Sequence, residues 1–238
     1  MTSLSIVDGG SLVDHAIRAV RNHIRDKDLK VGDTLPGEGA FASELGVSRA
    51  VMREAFGALA ALRLLDVGNG RKARVGAIDG SVMATSIDHA VATAQISTTE
   101  VWDVRRSLEM RTAELAAQNR SDSDAREIMA HAADMALYNG DLDYLTRADI
   151  ALHQAIARAA KNSLFTQIIR SFEPLMHNAV PSAWHTRRTP EQRVEMLVLH
   201  RDLAQAIADR DPEGAQSAMD RHFDASITDL LRSEAPTF

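Results

Sequence analysis

The chain has 238 residues, of which 45% are hydrophobic and 25% are charged, a balance typical of globular proteins with room for two modest domains. It contains no cysteine, which excludes a disulfide framework and a thiolate metal site, so a bound metal needs histidine and carboxylate ligands. No apolar run approaches the roughly 20 residues that span a bilayer, and the N-terminus lacks a basic-then-apolar signal. These patterns predict a cytoplasmic protein with no membrane partner.

The net charge of −6 is unevenly distributed along the chain. Residues 1–76 hold 11 Lys and Arg against 9 Asp and Glu, a net charge of +2, and the remainder carries −8. Affinity for phosphate depends on local charge, so the acidic total does not exclude DNA binding by the N-terminal part.

The N-terminal third predicts three helices. Apolar spacing marks a first helix from Leu12 to about Arg25, Glu38–Leu45 forms a second that stops at Gly46, and Ser48 is a good N-cap for a third. The core positions that we predict for the first and third helices are Leu12, Val13, Ala16, Ile17, Val20 and Ile24, then Val51, Ala55, Ala58, Leu59 and Leu62. The short turn between the second and third helices predicts a helix-turn-helix, whose second helix lies in the major groove of DNA.

Candidate DNA contacts cluster in two places. Arg49 and Arg53 follow Ser48 on one face of the third helix, and an arginine can fork onto guanine or phosphate. Two short strands, Leu64–Val67 and Ala73–Val75, flank an Asn-Gly hairpin signal. The basic tip of this hairpin predicts a wing that reaches phosphate or the minor groove. The residues of the wing are Asn69, Gly70, Arg71 and Lys72. The alternative is a hairpin that only covers the core.

This segment resembles the winged helix-turn-helix of the GntR family of bacterial transcriptional regulators. The residues that carry the resemblance are Leu35, Pro36, Glu38, Ala42, Gly46-Val47-Ser48-Arg49 and Arg53-Glu54-Ala55. The chain departs from the family pattern at Gly37, where a capping Ser is usual, and at Gly39, where a DNA-contacting Arg is usual. The second departure removes one expected DNA contact.

Residues 77–80 read as a linker between a DNA-binding domain, 1–76, and a second domain, 81–238, in which every segment is helical. The helices that we predict there are Ser81–Ala94, Thr99–Asn119, Asp122–Tyr138, Asp141–Ala160, Ser163–Asn178, Pro190–Asp209 and Pro212–Ser233. Capping signals support several ends, for example Thr189-Pro190-Glu191-Gln192. The fold class is therefore mainly α, a winged helix-turn-helix followed by an antiparallel bundle of six or seven helices.

Four side chains inside the bundle suggest a metal site. Asp149 and His153, four residues apart, share one helix face, and His200 and His222 lie near the middle of the last two helices. Three imidazoles and a carboxylate suit zinc, nickel or another divalent ion with open positions for ligand. From spacing alone, a surface ion pair or a satisfied core histidine remains the more common explanation.

Residues 81–233 resemble the FCD domain of the FadR subfamily of GntR regulators. The matching positions are Val104-Arg105, Leu108-Glu109, Ala116-Ala117, Asp149 with His153, Asn162, His200 and His222. The resemblance implies that Asp149, His153, His200 and His222 bind a divalent metal, most simply zinc. It also implies that Arg105 pairs with an effector carboxylate. The competing interpretation of Arg105 is an exposed ion pair with Glu109. Trp102 and Trp184 could line a pocket, although ordinary packing is the simpler expectation.

Together these features predict a homodimeric repressor that binds a near-palindromic operator and responds to a small carboxylate held beside the metal. Three alternatives remain open at this stage. One is a metal-dependent enzyme, since the ligand set could activate water. The others keep DNA binding but replace the signal with an acyl-CoA or with the metal itself.

Overall fold

The computed structural model describes residues 11–68, 70–137 and 140–234, with side chains up to residue 228. The chain divides into two compact units between Val82 and Met83. Within the described ranges, no helix is both long and apolar enough to cross a membrane.

The first unit contains three helices and a two-stranded antiparallel sheet. Its elements are α1 (Leu12–Asp26), α2 (Glu38–Leu45), α3 (Arg49–Ala61), β1 (Leu65–Asp66) and β2 (Arg74–Val75). In the sheet, Leu65 pairs with Val75 and Asp66 with Arg74, so the strands are shorter than predicted. Thr34 adds an isolated bridge to Arg74 and extends the small sheet on its other side.

The helix-turn-helix forms as its sequence predicts. Gly46 ends α2 in a left-handed conformation, at φ +67°, where glycine has no steric penalty. The hydroxyl of Ser48 then accepts a hydrogen bond from the backbone N–H of Val51 and caps α3.

Two of the predicted core positions of this unit are wrong. Leu12 is 61% exposed and Leu62 is 51% exposed, because each lies at a helix end beyond the last packed turn. Met52 and Phe56 join the predicted Ala55 and Leu59 in the α3 core, which packs in one cluster with α1, α2 and the hairpin.

The second unit consists of helices, eight within the described residues. They are α4 (Ser81–Ala92), α5 (Thr98–Asn119), α6 (Asp122–Leu137), α7 (Leu142–Ala159), α8 (Ser163–Ser171), α9 (Glu173–Thr186), α10 (Pro190–Ala208) and α11 (Pro212–Glu234). Asp141 caps α7, and Thr189 forms a capping box with Gln192 at the start of α10.

The single predicted helix over Ser163–Asn178 is wrong. The chain forms α8 and α9 with a break at Phe172. Pro174 explains the break, because proline lacks an N–H and its ring clashes with the carbonyl four residues earlier. Beyond it, α9 continues past the predicted end at Asn178 and through Pro181 to Thr186.

Helix α7 is the centre of the bundle and packs against α5, α6, α8 and α9. Its buried apolar face combines large residues, such as Leu152 and Ile156, with Ala155 and Ala159. Small residues let neighbouring helices approach closely, which brings polar groups on facing helices within bonding distance. The helices α5, α10 and α11 complete the layer that surrounds the candidate site.

Truncation of one core leucine tests this packing. Leu203 on α10 is fully buried, so Leu203→Ala should lower the free energy of unfolding by about 2–5 kcal/mol through lost burial and a cavity. The same change at Leu164, which is 59% exposed, should cost less than about 0.5 kcal/mol. Urea unfolding of the metal-free chain, followed by circular dichroism, measures both. Equal effects would contradict the assigned core.

Candidate functional site

The structure brings the four predicted metal ligands together in the core of the second unit. Asp149 and His153 project from the same face of α7, His200 comes from α10 and His222 from α11, and all four side chains are buried. One ring nitrogen from each histidine lies within 4.8 Å of the others. The rings of His200 and His222 have centroids 4.5 Å apart.

Hydrogen bonds fix the orientation of His200. Its Nδ1 lies 2.9 Å from the carbonyl oxygen of Met196 and must donate to it, since a carbonyl only accepts. Its Nε2 then faces Asp149 Oδ1 at 3.0 Å. In a neutral ring that nitrogen carries a lone pair, which a carboxylate oxygen repels. A proton or a cation between the two atoms removes this repulsion, as expected of two ligands of one metal ion.

A buried relay of three charged or polar groups orients His153. Arg105 Nε donates to Glu109 Oε1 at 2.8 Å, and Glu109 Oε2 accepts a hydrogen bond from His153 Nδ1. The exposed fractions of these side chains are 5%, 1% and 3%. The carboxylate therefore turns the other nitrogen of His153, Nε2, away from α5, as carboxylates behind metal-binding histidines do.

Burial and neighbouring charges shift the pKa values of three groups in this cluster, and not all in the same direction. Burial by itself would raise the pKa of Asp149, but a hydrogen bond from protonated His200 and the positive charge of the nearby imidazoles would hold it well below its usual range. Burial and the neighbouring rings of His200 and His153 lower the pKa of His222. Burial opposes protonation of His153, yet the adjacent Glu109 carboxylate raises its pKa.

Two ring nitrogens of the cluster indicate that it can bind a further atom. Among the described residues, His153 Nε2 and His222 Nδ1 are buried and have no hydrogen-bond partner. A buried polar atom without a partner destabilises the fold by about 1–3 kcal/mol. Three imidazoles and one carboxylate form a suitable donor set for zinc or a similar divalent ion, so the residues present fit such an ion.

A cavity of about 30 Å³ opens beside the cluster. Besides the ligand set, its charged and aromatic lining consists of Trp102, Arg105, Trp184, Arg187 and Phe223. The two tryptophans thus both line the cavity and pack in the core. Arg105 faces this cavity while forming its ion pair with Glu109, so the pair exists but is buried rather than on an exposed face.

Sequence reasoning missed two residues of the site. Glu109 was named as a position of the FCD resemblance and as an exposed partner of Arg105, but not as a residue of the site. It lies on the same face as Trp102, Thr112 and Ala116, all buried. That spacing was the available signal, because a charge on an apolar helix face requires a partner. Arg187 carried no signal, since it follows Pro181 in a stretch to which no helix was assigned.

In the first unit, the predicted DNA contacts at the start of α3 are exposed to solvent. Ser48 and Arg49 stand at the N-terminal end of the helix. Arg53 is 78% exposed and lies 3.7 Å from Glu38 of α2. A Cβ at Gly39 would lie 3.5 Å from Arg49 Nε, so this guanidinium occupies space beside the glycine that replaces the family's usual arginine.

The structure describes three of the four residues predicted to form the wing. Asn69 lies outside the described residues, Gly70 has a positive φ of 73° and Lys72 is exposed. Arg71 donates two hydrogen bonds to Asp66, at 2.9 and 2.6 Å. Contact of Arg71 with phosphate therefore requires it to leave or share this carboxylate.

Two protein-family models match the chain. The model for bacterial regulatory proteins of the gntR family covers residues 12–75, and the FCD domain model covers residues 100–225. The matches fall on the helix-turn-helix with its hairpin and on the helices that hold the histidine cluster.

The relatives found by sequence are bacterial regulators. The Glc operon transcriptional activator of Escherichia coli K12 is 28% identical over 213 residues, covering 86% of this chain and 83% of the relative. The galactonate operon transcriptional repressor of the same strain is 26% identical over 193 residues, covering 79% and 82%. A solved structure of a Streptococcus agalactiae GntR protein has a TM-score of 0.65 at 23% identity, covering 90% of this chain and 97% of that one, and supports the fold.

Loss of the Glu109 charge should weaken metal binding. In Glu109→Gln the side chain keeps its shape but no longer holds His153 with a carboxylate, so zinc affinity should fall about 10- to 100-fold. Competition with a fluorescent chelator measures the affinity. Glu114→Gln is the matched control and should leave the affinity unchanged, because Glu114 lies on the same helix but pairs with Arg111 and Gln118, outside the cluster. Equal affinities in wild type and Glu109→Gln would contradict the orienting role.

Proposed function

The chain belongs to the GntR family of bacterial regulatory proteins and is a DNA-binding transcriptional regulator with an FCD domain, and from this premise we propose that a small organic acid bound beside a divalent metal controls its operator affinity. The observation that carries the proposal is the buried cluster of three histidines and one aspartate next to a cavity that Arg105 lines. The family consists of transcriptional regulators, which excludes the metal-dependent enzyme considered above.

The proposed DNA contacts are the exposed N-terminal end of α3 and the hairpin tip. Arg49 and Arg53 read base edges or phosphates in the major groove, Ser48 adds its hydroxyl, and the hairpin from Asn69 to Lys72 acts as the wing. Two copies related by a twofold axis would read a near-palindromic operator. We therefore propose a homodimer. Binding to chromosomal DNA implies a cytoplasmic location.

The proposed metal ligands are Asp149, His153, His200 and His222. The two unpartnered ring nitrogens support this assignment, because a cation satisfies both and removes the repulsion between His200 and Asp149. Zinc is the ion that we propose, since histidine-rich sets with a carboxylate suit it. When bound, such an ion supplies a fixed positive charge that attracts the oxygen atoms of an acid.

Arg105 supports a carboxylate as the effector. Its guanidinium carbon lies 4.9 Å from the centroid of the Trp102 ring, and Glu109 holds its Nε. These contacts preorganise a planar fork that suits a carboxylate. The cavity that Arg105 lines also holds the four candidate metal ligands, so an acid bound there would lie beside the ion.

The acid can act without touching DNA. It needs only to bind one arrangement of the dimer better than the other, and a coupling free energy of about 1–3 kcal/mol changes DNA affinity roughly 5- to 150-fold. For the sign of regulation we propose repression, which is what the name of the galactonate relative records for that protein. We propose further that the acid relieves this repression. A metal that is itself the signal is the second candidate, because the ligand set alone would support it.

Removal of either α3 arginine should weaken specific operator binding by about 5- to 150-fold for each arginine lost. Arg49→Ala and Arg53→Ala each lose a contact worth about 1–3 kcal/mol of base discrimination, with no loss of core packing because both side chains are exposed. Operator fragments selected by the wild-type protein from random DNA supply the probe for fluorescence anisotropy. Arg18→Ala, an exposed arginine of α1, is the control. Unchanged operator affinity in both α3 variants would refute this recognition surface.

Thermal melts with metal and acids test the effector. A hundredfold excess of ligand over its dissociation constant stabilises the native state by about 2.7 kcal/mol, so hydroxy acids and sugar acids should raise the midpoint of zinc-loaded protein only. Arg105→Lys should keep zinc binding and lose this shift, because lysine lacks the fork. In the wild-type chain, Arg106 pairs with Asp220 and Asp224. Arg106→Lys is therefore the control and should behave as wild type. Stabilisation by zinc without any response to acids would favour the metal as the signal.

A further inference from the structure

Polar atoms without a hydrogen-bond partner concentrate around one cavity of the second unit. Among the residues that the structure describes, five buried side-chain nitrogen or oxygen atoms have no partner. Three of them belong to Trp102, His153 and His222, which all line the cavity beside the histidine cluster. Because each such atom is costly to leave unsatisfied, their concentration indicates that this cavity holds bound groups.

A metal ion can satisfy only two of these three atoms. The unpartnered ring nitrogens of His153 and His222 can each offer a lone pair to a cation. The indole nitrogen of Trp102, Nε1, carries a hydrogen atom and can only donate a hydrogen bond. The site therefore still requires a hydrogen-bond acceptor after a metal ion has bound.

The side chain that covers the Trp102 ring is itself a donor. Arg105 follows Trp102 by one turn of α5, and its guanidinium carbon lies 4.9 Å from the centroid of the indole ring. A guanidinium has no acceptor atom, so it cannot satisfy the indole N–H. Trp102 is 6% exposed and its Nε1 is buried, so bulk water does not hydrate this group. Two neighbouring donors on one face of α5 favour a ligand that offers acceptor oxygens to both.

We propose that Trp102 is an effector-binding residue whose indole N–H donates a hydrogen bond to an oxygen atom of the bound acid. This inference rests on the proposed function, in which Arg105 pairs with the acid beside the metal. Arg105 attracts the acid through its charge, and Trp102 adds a neutral, directional contact that depends on where an acceptor oxygen lies. The acid, rather than the metal, completes the hydrogen bonding of the cavity.

A purely structural role for Trp102 makes a different prediction. Its side chain packs in the largest core cluster of the second unit, and a trapped water could accept the N–H in the absence of an acid. In that case the N–H would keep the same partner when an acid binds. Loss of the indole would then destabilise the fold without a specific loss of acid affinity.

The first measurement observes the indole N–H directly in the full-length, zinc-loaded protein. The chain contains two tryptophans, so isotopic labelling of their nitrogens gives two indole signals in a nuclear magnetic resonance spectrum. The spectrum of Trp102→Phe assigns them. Glycerate, malate and gluconate are the probes. We expect at least one of them to move the Trp102 proton signal downfield and to slow its exchange with water, because a hydrogen bond to oxygen deshields and protects the proton.

The second measurement compares affinities by calorimetry. Trp102→Phe keeps an aromatic ring but has no N–H, so its affinity for the acid should fall about 5- to 150-fold. Its affinity for zinc should change less than about threefold, because Trp102 supplies no metal ligand. Phe172→Leu truncates a buried ring in a separate core cluster and is the control for lost packing, with both affinities unchanged.

Three results would overturn the inference and leave the proposed function standing. They are an indole signal that stays in place while an acid binds, an acid affinity that is unchanged in Trp102→Phe, and equal losses of acid affinity in Trp102→Phe and Phe172→Leu. The last result would show that packing alone is responsible. Failure of all three acids to bind the zinc-loaded wild type would overturn both the inference and the proposed function.

Discussion

The second unit depends on the buried relay from Arg105 through Glu109 to His153. Each member would be costly alone in an apolar core, but the three together satisfy one another across two helices. The relay connects α5 to the central helix α7, sets the tautomer of His153 and holds a guanidinium against the cavity. One carboxylate thereby orients both a candidate metal ligand and a candidate ligand-binding arginine.

Close packing of the helices explains why the other polar groups of the cluster are buried next to one another. Asp149 and His200 face each other with no donor between them if the ring is neutral, and two other ring nitrogens lack partners among the residues that the structure describes. The alanine-rich faces of the packed helices allow these groups to approach one another. Because apolar packing forces this proximity, a cation at the centre would convert several unfavourable contacts into favourable ones.

Local signals account for what could be predicted from the sequence. Ser48, Gly46 and the Thr189 capping box act within four residues, so the helix ends that they define agree with the structure. The break at Phe172 was missed because the effect of Pro174 on α8 competes with continuous apolar spacing. Glu109 and Arg187 were missed because their roles depend on which helices meet, and periodicity fixes helix faces without fixing partners.

The two arginines that line the cavity belong to different elements. Arg105 is fixed by its ion pair with Glu109 and by the ring of Trp102. Arg187 stands at the end of α9, which contains Pro181 and therefore lacks one backbone hydrogen bond inside the helix. An acid larger than the present cavity must displace part of its lining, and Pro181 leaves α9 with one backbone hydrogen bond fewer than an uninterrupted helix. A ligand that binds one arrangement of the lining better than another shifts the equilibrium between them, and that difference in affinity is what allostery requires.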